Sequence, residues 1–444
     1  MSKRLNVLIS DDLVGHVERK ADGKLIFRYL DAWREGGKQI PLSLKMPLAA
    51  GEYPDKIISR WMWNLLPDNE QVLERWARQF QCSPRNVFAL LENVGEDCAG
   101  AVQFLTDERL ANPPQNKVRW LAETEIEERL AALRQDAAAG RKREDHGQFS
   151  LAGAQAKTAY LYDEVTRSWG IPEGRLPTTH ILKPPIPTFA GHSENEVFCL
   201  RLAQEAGMSA ANAKIIMFGV EKAIVIERYD RFVEQGEFYR IHQEDMCQAL
   251  AVHPSDKYEN QGGPGIVKIM NEVLSRSAAP RVDKARFVQA AIFNFLIGGT
   301  DAHGKNFSML IGEFGEALMA PLYDISSILP HLKAGEVDAD PRDIKMAMRV
   351  GDKYLMSDIY PRHWERLAQA CDFDPDYTMA LLRHHIATLP EQASAVAQGC
   401  RRDGLDHPVL DQLVDLIAQR TDGLREFYGS EPMPAKSLPY PGEA

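Results

Sequence analysis

The apolar pattern of this chain changes character at Glu244, and that change constrains the fold more than any single motif. Ahead of it, β-prone runs dominate. Residues 5–9 form a short apolar run, Asp11-Asp12 a turn, and residues 13–18 a second run. Asp22-Gly23 then gives a hairpin signal leading into residues 25–29, so the chain opens as a predicted β-meander. Further strands are predicted over 158–162, 179–182 and 223–226, with one helix over 193–206. Two early helices interrupt the β pattern. Ile57, Ile58, Trp61, Met62 and Leu65 share one helical face until Pro67 breaks it, and Val72, Leu73, Trp76 and Phe80 mark the second. Their aromatics read as core. Ala111-Asn-Pro-Pro-Gln115 reads as a linker. Thr124 and Glu127 have capping-box spacing at the start of a helix that presents Ile126, Leu130 and Leu133 inward and ends at Gly140, before a polar loop over 141–146.

Beyond Glu244 the period is helical. Residues 246–252, 266–275, 284–297, 363–370 and 377–389 all predict helices, with one hairpin, 307–311 and 317–322, embedded among them. The tail from Glu431 is Pro-rich and reads as loose. The expected class is α+β with two lobes: an extra N-terminal subdomain over 1–110, a second β-rich part over 111–245, and a mostly helical lobe over 246–444. A chain of 444 residues exceeds one ordinary core, which agrees with such a division.

Composition excludes several classes. Apolar residues at 44 % and charged residues at 26 % fit a soluble globular protein rather than a disordered or fibrous one. A net charge of −11 gives no global attraction to a nucleic-acid backbone, so any association with DNA needs a local basic patch or a basic partner. The six cysteines include no CxxC pair and read as free thiols in a reducing compartment. The apolar run at the N-terminus is too short for a signal peptide, and none elsewhere approaches a membrane span. The expected localisation is cytoplasmic, without membrane association.

The sharpest motif is Gly299-Thr-Asp-Ala-His-Gly-Lys-Asn306, directly after the apolar helix ending at Ile297. The spacing of Asp301 and Asn306 is that of a kinase catalytic loop, in which the Asp receives the proton of the substrate hydroxyl and the Asn holds a metal. Pro321-Leu-Tyr-Asp-Ile-Ser326 follows the hairpin and puts Asp324 where a kinase carries its metal-binding Asp. This order of Asp, Asn, hairpin and Asp is far more specific than any of its parts, each of which alone could serve as a turn or cap. A zinc reading through Asp301 and His303 lacks a third ligand.

Three weaker elements precede it. Phe149-Ser-Leu-Ala-Gly-Ala-Gln-Ala-Lys157 is small-residue-rich and leads into a strand; its backbone could approach phosphate oxygens, or it could be an ordinary turn. Lys183 ends the strand His180-Ile-Leu-Lys, where it could reach phosphates. Glu196 is a candidate ion-pair partner for it, although Ser193 and Glu196 also have capping-box spacing. Glu227-Arg228-Tyr229 leaves an apolar strand at the position of an inter-lobe hinge, with a solvent-facing charge pair as the alternative. Gly262-Gly-Pro-Gly265 reads as a loop, with Pro264 as a helix entry.

Ser150 to Lys157, Thr178-Thr-His-Ile-Leu-Lys183, Glu244-Asp-Met-Cys-Gln248, Asp301-Ala-His-Gly-Lys-Asn306 and Tyr323-Asp-Ile325 together resemble the HipA family of serine/threonine-kinase toxins from type II toxin–antitoxin systems. The resemblance covers nearly the whole chain. It implies a two-lobed, protein-kinase-like fold that uses ATP and magnesium, with Asp301 catalytic and Asn306 and Asp324 binding the metal. It further implies nucleotide contacts from Ala152, Gly153, Ala154, Gln155, Ala156, Lys157, Lys183, Glu227, Arg228, Tyr229, His303, Gly304, Lys305 and Asn306. Ser150 would be an autophosphorylation site whose modification ejects its loop, since a phosphate carries roughly two negative charges. The implied partners are a HipB-like helix-turn-helix antitoxin dimer, operator DNA reached through it, and a protein substrate of the aminoacyl-tRNA synthetase class. The sequence departs from the pattern at Ala156, where an acidic residue is expected, and from eukaryotic kinases in having no Arg before Asp301 and Ile325-Ser326 in place of Phe-Gly. A small-molecule or lipid kinase, or a catalytically silent corepressor, are the competing readings.

Overall fold

The computed structural model describes residues 3–37, 39–140 and 150–433. The loop expected at 141–146 and almost all of the Pro-rich tail lie outside these residues, as does Phe149. The chain divides into two compact units. The first comprises residues 1–184, 216–255 and 308–317, the second 185–215, 256–307 and 318–444.

In the first unit the expected meander is formed by β1 (Lys3–Ile9), β2 (Asp12–Arg19) and β3 (Leu25–Tyr29). Strands β4 (Glu52–Pro54) and β5 (Val102–Leu105) complete a five-stranded sheet in the order β4-β3-β2-β1-β5. Its inner face carries Leu5, Val7, Val17 and Phe27, all fully buried. Helices α1 (Asp55–Trp63), α2 (Glu70–Gln79) and α3 (Val87–Val94) pack on that core through Trp61, Trp76 and Phe88. The aromatic stripes therefore serve packing, as their spacing predicts.

A second sheet has the order β10-β11-β9-β7-β8-β6. It uses β6 (Lys117–Trp120), β7 (Thr158–Asp163), β8 (Ser168–Glu173), β9 (His180–Lys183), β10 (Ala213–Phe218) and β11 (Glu221–Glu227). Helix α4 (Glu123–Gln135) packs on it through Ile126 and Leu130. Its predicted capping box does not form. The N-cap is Ala122, and Glu127 instead accepts from the backbone N–H of Val220 at 2.8 Å, tying the helix to the β10–β11 turn.

The ribbon β12 (Arg231–Glu234) and β13 (Glu237–Arg240) stands on a buried ionic centre. Arg231 and Arg240 lie directly opposite in register. Like charges so placed repel, and here both guanidiniums reach Asp97, at 2.9 and 3.4 Å. Arg228 bonds Asp230 at 2.9 Å and lies 3.5 Å from Asp97, and all five side chains are buried. Burial pushes the Asp97 carboxyl up, but Arg231, Arg228 and Arg240 outweigh it and hold it well below the usual carboxylate range. Glu244 on β14 (His242–Asp245) is the opposite case. It accepts from Trp61 Nε1 at 2.9 Å and Leu44 N at 2.8 Å with no cation beside it among the described residues, and burial raises it to about 7. The next residue, Asp245, forms a capping box with Gln248, which accounts for two more positions of the 244–248 motif.

The second unit is mostly helical: α5 (His192–Glu205), α6 (Pro280–Ile297), α7 (Pro361–Ala370), α8 (Pro375–Arg402) and α9 (Val409–Tyr428). The hairpin expected over 307–311 and 317–322 is β15 (Ser308–Ile311) and β16 (Ala317–Met319), which join β14 in a three-stranded sheet; residues 308–317 of it are counted with the first unit. Three expectations need correction. Ser193 and Glu196 do not cap α5; both lie inside it, behind a left-handed N-cap at Gly191. The helix predicted over 266–275 is a short α turn, a π turn over Ile269–Val273 and a 3-10 turn, a winding that keeps Ile269, Met270, Val273 and Leu274 all buried. Helix α8 runs on through Pro390, where the sequence suggests a stop.

Candidate active site

Helix α6 carries the catalytic-loop motif at its C-terminal end. It stops at Gly298, whose φ of +73° is the left-handed turn that glycine allows at a helix terminus. The loop that follows is held by its own backbone: His303 N donates to Asp301 O at 2.8 Å and Asn306 N to His303 O at 2.9 Å. Asp301 is exposed, whereas His303, Lys305 and Asn306 are buried. The Asn306 amide donates through Nδ2 to Asp301 O at 2.9 Å, which leaves Oδ1 as the atom suited to a cation.

The Asp301 carboxylate accepts from the Tyr258 hydroxyl at 2.6 Å, and the Tyr258 ring meets His303 edge-on at 5.0 Å. Sequence reasoning missed Tyr258. It lies just ahead of Gly262-Gly-Pro-Gly265, and only its place before that loop could have drawn attention to it.

Asp324 is exposed and has a φ of +57°, a left-handed conformation unusual for a side-chain-bearing residue. The segment around it is fixed against the loop: the Tyr323 hydroxyl donates to Lys305 O at 2.7 Å, so the chain neighbours of Asp324 and Asn306 touch. Asp301, Asn306 and Asp324 are thus carried by one unit on segments in direct contact.

In the first unit, β9 gathers the other expected residues. Lys183 is buried at its end, in register with Ile224. Gln155 Nε2 donates to Pro184 O at 3.3 Å, which ties the 150–157 loop to that strand end. Within the loop, Lys157 Nζ donates to Ala152 O at 2.6 Å. Gly153 has a φ of +102°, a backbone conformation that side-chain-bearing residues rarely adopt and glycine takes without strain. Among the described residues, the backbone N–H groups of Ala154, Gln155 and Ala156 donate to no acceptor. Three such groups in succession suit anionic oxygens.

Ser150 is fully buried, its Oγ donating to Leu65 O at 2.7 Å and its N–H to Asp97 O at 2.9 Å. Arg228 is not part of a solvent-facing charge pair. Its guanidinium sits in the ionic centre and its N–H donates to Thr179 O at 3.0 Å, whereas Glu227 is exposed and the Tyr229 hydroxyl bonds Gln243.

The donor set fits magnesium better than zinc. Among the described residues no three His, Cys, Asp or Glu side chains gather to hold a metal. Magnesium characteristically takes one or two protein oxygens and completes its shell from phosphates and water, which is what Asp324 and Asn306 offer.

The profile of the HipA-like C-terminal domain matches residues 149–393, and that of the HipA N-terminal domain matches residues 5–105. The chain belongs to the HipA family. A putative kinase, Y4mE, of Sinorhizobium fredii is 37 % identical over 95 % of this chain and 98 % of its own length. The serine/threonine-protein kinase toxin HipA of Shewanella oneidensis is 31 % identical over 80 % of each chain. The solved complex of Shewanella oneidensis HipA with HipB and operator DNA contains a chain that superposes with a TM-score of 0.80 at 25 % identity, covering 96 % of this chain and 98 % of that one. The α+β, kinase-like class expected from the sequence is therefore the fold of this HipA-family chain. No helix among the described residues is long and apolar enough to cross a membrane.

Proposed function

We propose that this HipA-family chain is an ATP- and magnesium-dependent serine/threonine protein kinase and the toxin of a type II toxin–antitoxin pair. The observation that carries the reading is the bracing of the Asp301–Asn306 loop against the Asp324 segment through Tyr323 and Lys305. Asp301 orients the attacking hydroxyl and takes its proton. Asn306 and Asp324 hold magnesium, which when bound neutralises charge on the β- and γ-phosphate oxygens. The N–H groups of Ala154 to Ala156, together with Lys157 and Lys183, hold the phosphates; Glu227 and Tyr229 meet the base. Arg228 contributes through the ionic centre rather than by direct contact.

The boundaries 1–110, 111–245 and 246–444 are proposed as the functional divisions, with the chain working in the cytoplasm. A HipB-like antitoxin is the proposed partner, by likeness to the Shewanella complex. It would bring this acidic chain to operator DNA as a corepressor. The proposed substrate is an aminoacyl-tRNA synthetase, and Ser150 the site of self-phosphorylation.

The test is phosphate transfer from radiolabelled ATP, followed by phosphopeptide mapping in cells without antitoxin. Asp301→Asn should lower transfer by about 10²–10⁴-fold, the usual scale for a general base. Undiminished transfer in that variant would remove the reading.

A further inference from the structure

Asn195 on α5 is fully buried, and all four hydrogen-bonding positions of its amide are used. Oδ1 accepts from Ser327 N at 3.0 Å and faces Cys199 Sγ at 3.3 Å. Nδ2 donates to Ser327 O at 2.7 Å and lies 3.4 Å from His331 Nε2. His331 Nδ1 is 2.7 Å from Glu336 Oε2, so its proton is shared with that carboxylate and Nε2 is left to accept. Only one orientation of the amide satisfies these partners. Reversing it would set Nδ2 against the Ser327 N–H and Oδ1 against the Ser327 carbonyl.

Ser327 is the far anchor of the Asp324 segment. Its Oγ donates to Ile297 O at 2.5 Å, and Ile328 N donates to Gly298 O at 2.9 Å. Both acceptors belong to the turn from which the Asp301 loop springs. The near anchor is Leu322, which exchanges backbone bonds of 2.8 Å with Ser209 and Ala211. Asp324 is therefore suspended between two fixed points, and Asn195 grips one of them through both main-chain atoms.

We propose that Asn195 is a positioning residue for the metal-binding carboxylate. By clamping Ser327 against the start of the catalytic loop, it sets the distance between Asp324 and Asn306 that a magnesium ion requires. This rests on the kinase reading above. Outer partners of metal ligands typically contribute 10–100-fold in affinity because they fix ligand orientation.

The test uses the full chain and equilibrium binding of a fluorescent, non-hydrolysable ATP analogue, titrated with and without magnesium. Asn195→Asp keeps the shape but turns a donor into an acceptor facing Ser327 O. It should reduce the magnesium-dependent gain in affinity by about 10–100-fold and leave metal-free binding within about twofold. Should Asn195→Asp fail to fold, Ser327→Ala cuts the tie to Ile297 and should lower the gain in the same direction. A wild-type gain that survives these substitutions overturns the inference alone. A wild-type protein with no gain at all removes the kinase reading, and the inference with it.

Discussion

Two buried polar centres are built on opposite plans. In the first unit, Asp97 and Asp230 face Arg228, Arg231 and Arg240, five charges withdrawn from water. In the second, Asn195, Ser327 and His331 form a joint whose core is an amide and a backbone peptide. The ionic centre is all-or-none, because removing one member strands an opposite charge at low dielectric. The neutral joint loses only hydrogen bonds, so it can give by fractions of an ångström without unfolding what surrounds it. Charge anchors the ribbon and the strand exit at Arg228; an amide and a backbone peptide hold Ser327 at the end of the Asp324 segment.

The largest expected effect is at Asp97. Asp97→Ala leaves three guanidiniums with Asp230 alone and should cost about 3–5 kcal/mol in urea unfolding. A loss below about 1 kcal/mol would erase the contrast, since that is the scale of a single neutral hydrogen bond.

Next comes the pH dependence of Glu244. Its folded pKa is raised by burial, so its contribution is complete below its ordinary value of 4.5 and is lost as pH rises through about 7. That shift corresponds to ~3 kcal/mol at about 1.36 kcal/mol per pH unit. Glu244→Gln should lack this slope. His242, lowered to about 4 chiefly by burial, acts in the opposite sense: its contribution is present above 6.5 and lost as pH falls through 4. The difference between wild-type and variant stability curves isolates Glu244, and a flat difference from pH 4.5 to 7 would contradict its buried, cation-free setting.

Asn195→Ala should cost less than Asp97→Ala, about 1–3 kcal/mol by thermal unfolding, as expected for uncovering buried backbone partners. An equal or greater cost would reverse the comparison. The smallest effect is expected at Tyr258→Phe. Removing one bond to the exposed Asp301 should change stability by about 1 kcal/mol or less, read by the same melting experiment.

The sequence made the local and periodic features legible. The meander, the embedded hairpin and the Asp301, Asn306 and Asp324 spacing are each written within one continuous stretch of the chain. The clamp was not legible, because Asn195 lies 132 residues from Ser327 and 136 from His331, and each reads as an ordinary helix or loop residue. The capping box at Thr124 and Glu127 failed for a related reason. Glu127 has its spacing, yet its carboxylate is drawn to the Val220 N–H, a partner nearly a hundred residues away. The buried ion pairs of Arg228 were not legible, because only the fold brings Asp97 beside it. Helix α9 was missed despite Leu410, Leu413 and Ile417 at helical spacing, all three fully buried.

The left-handed backbone at Asp324 separates the demands of chemistry from those of the chain's path. Glycine occupies such a conformation without strain, so Asp324→Gly would take away the carboxylate while easing the main chain. Any cost of that substitution to folding would come from the side chain's own contacts and from the added freedom of the unfolded chain, not from the turn itself.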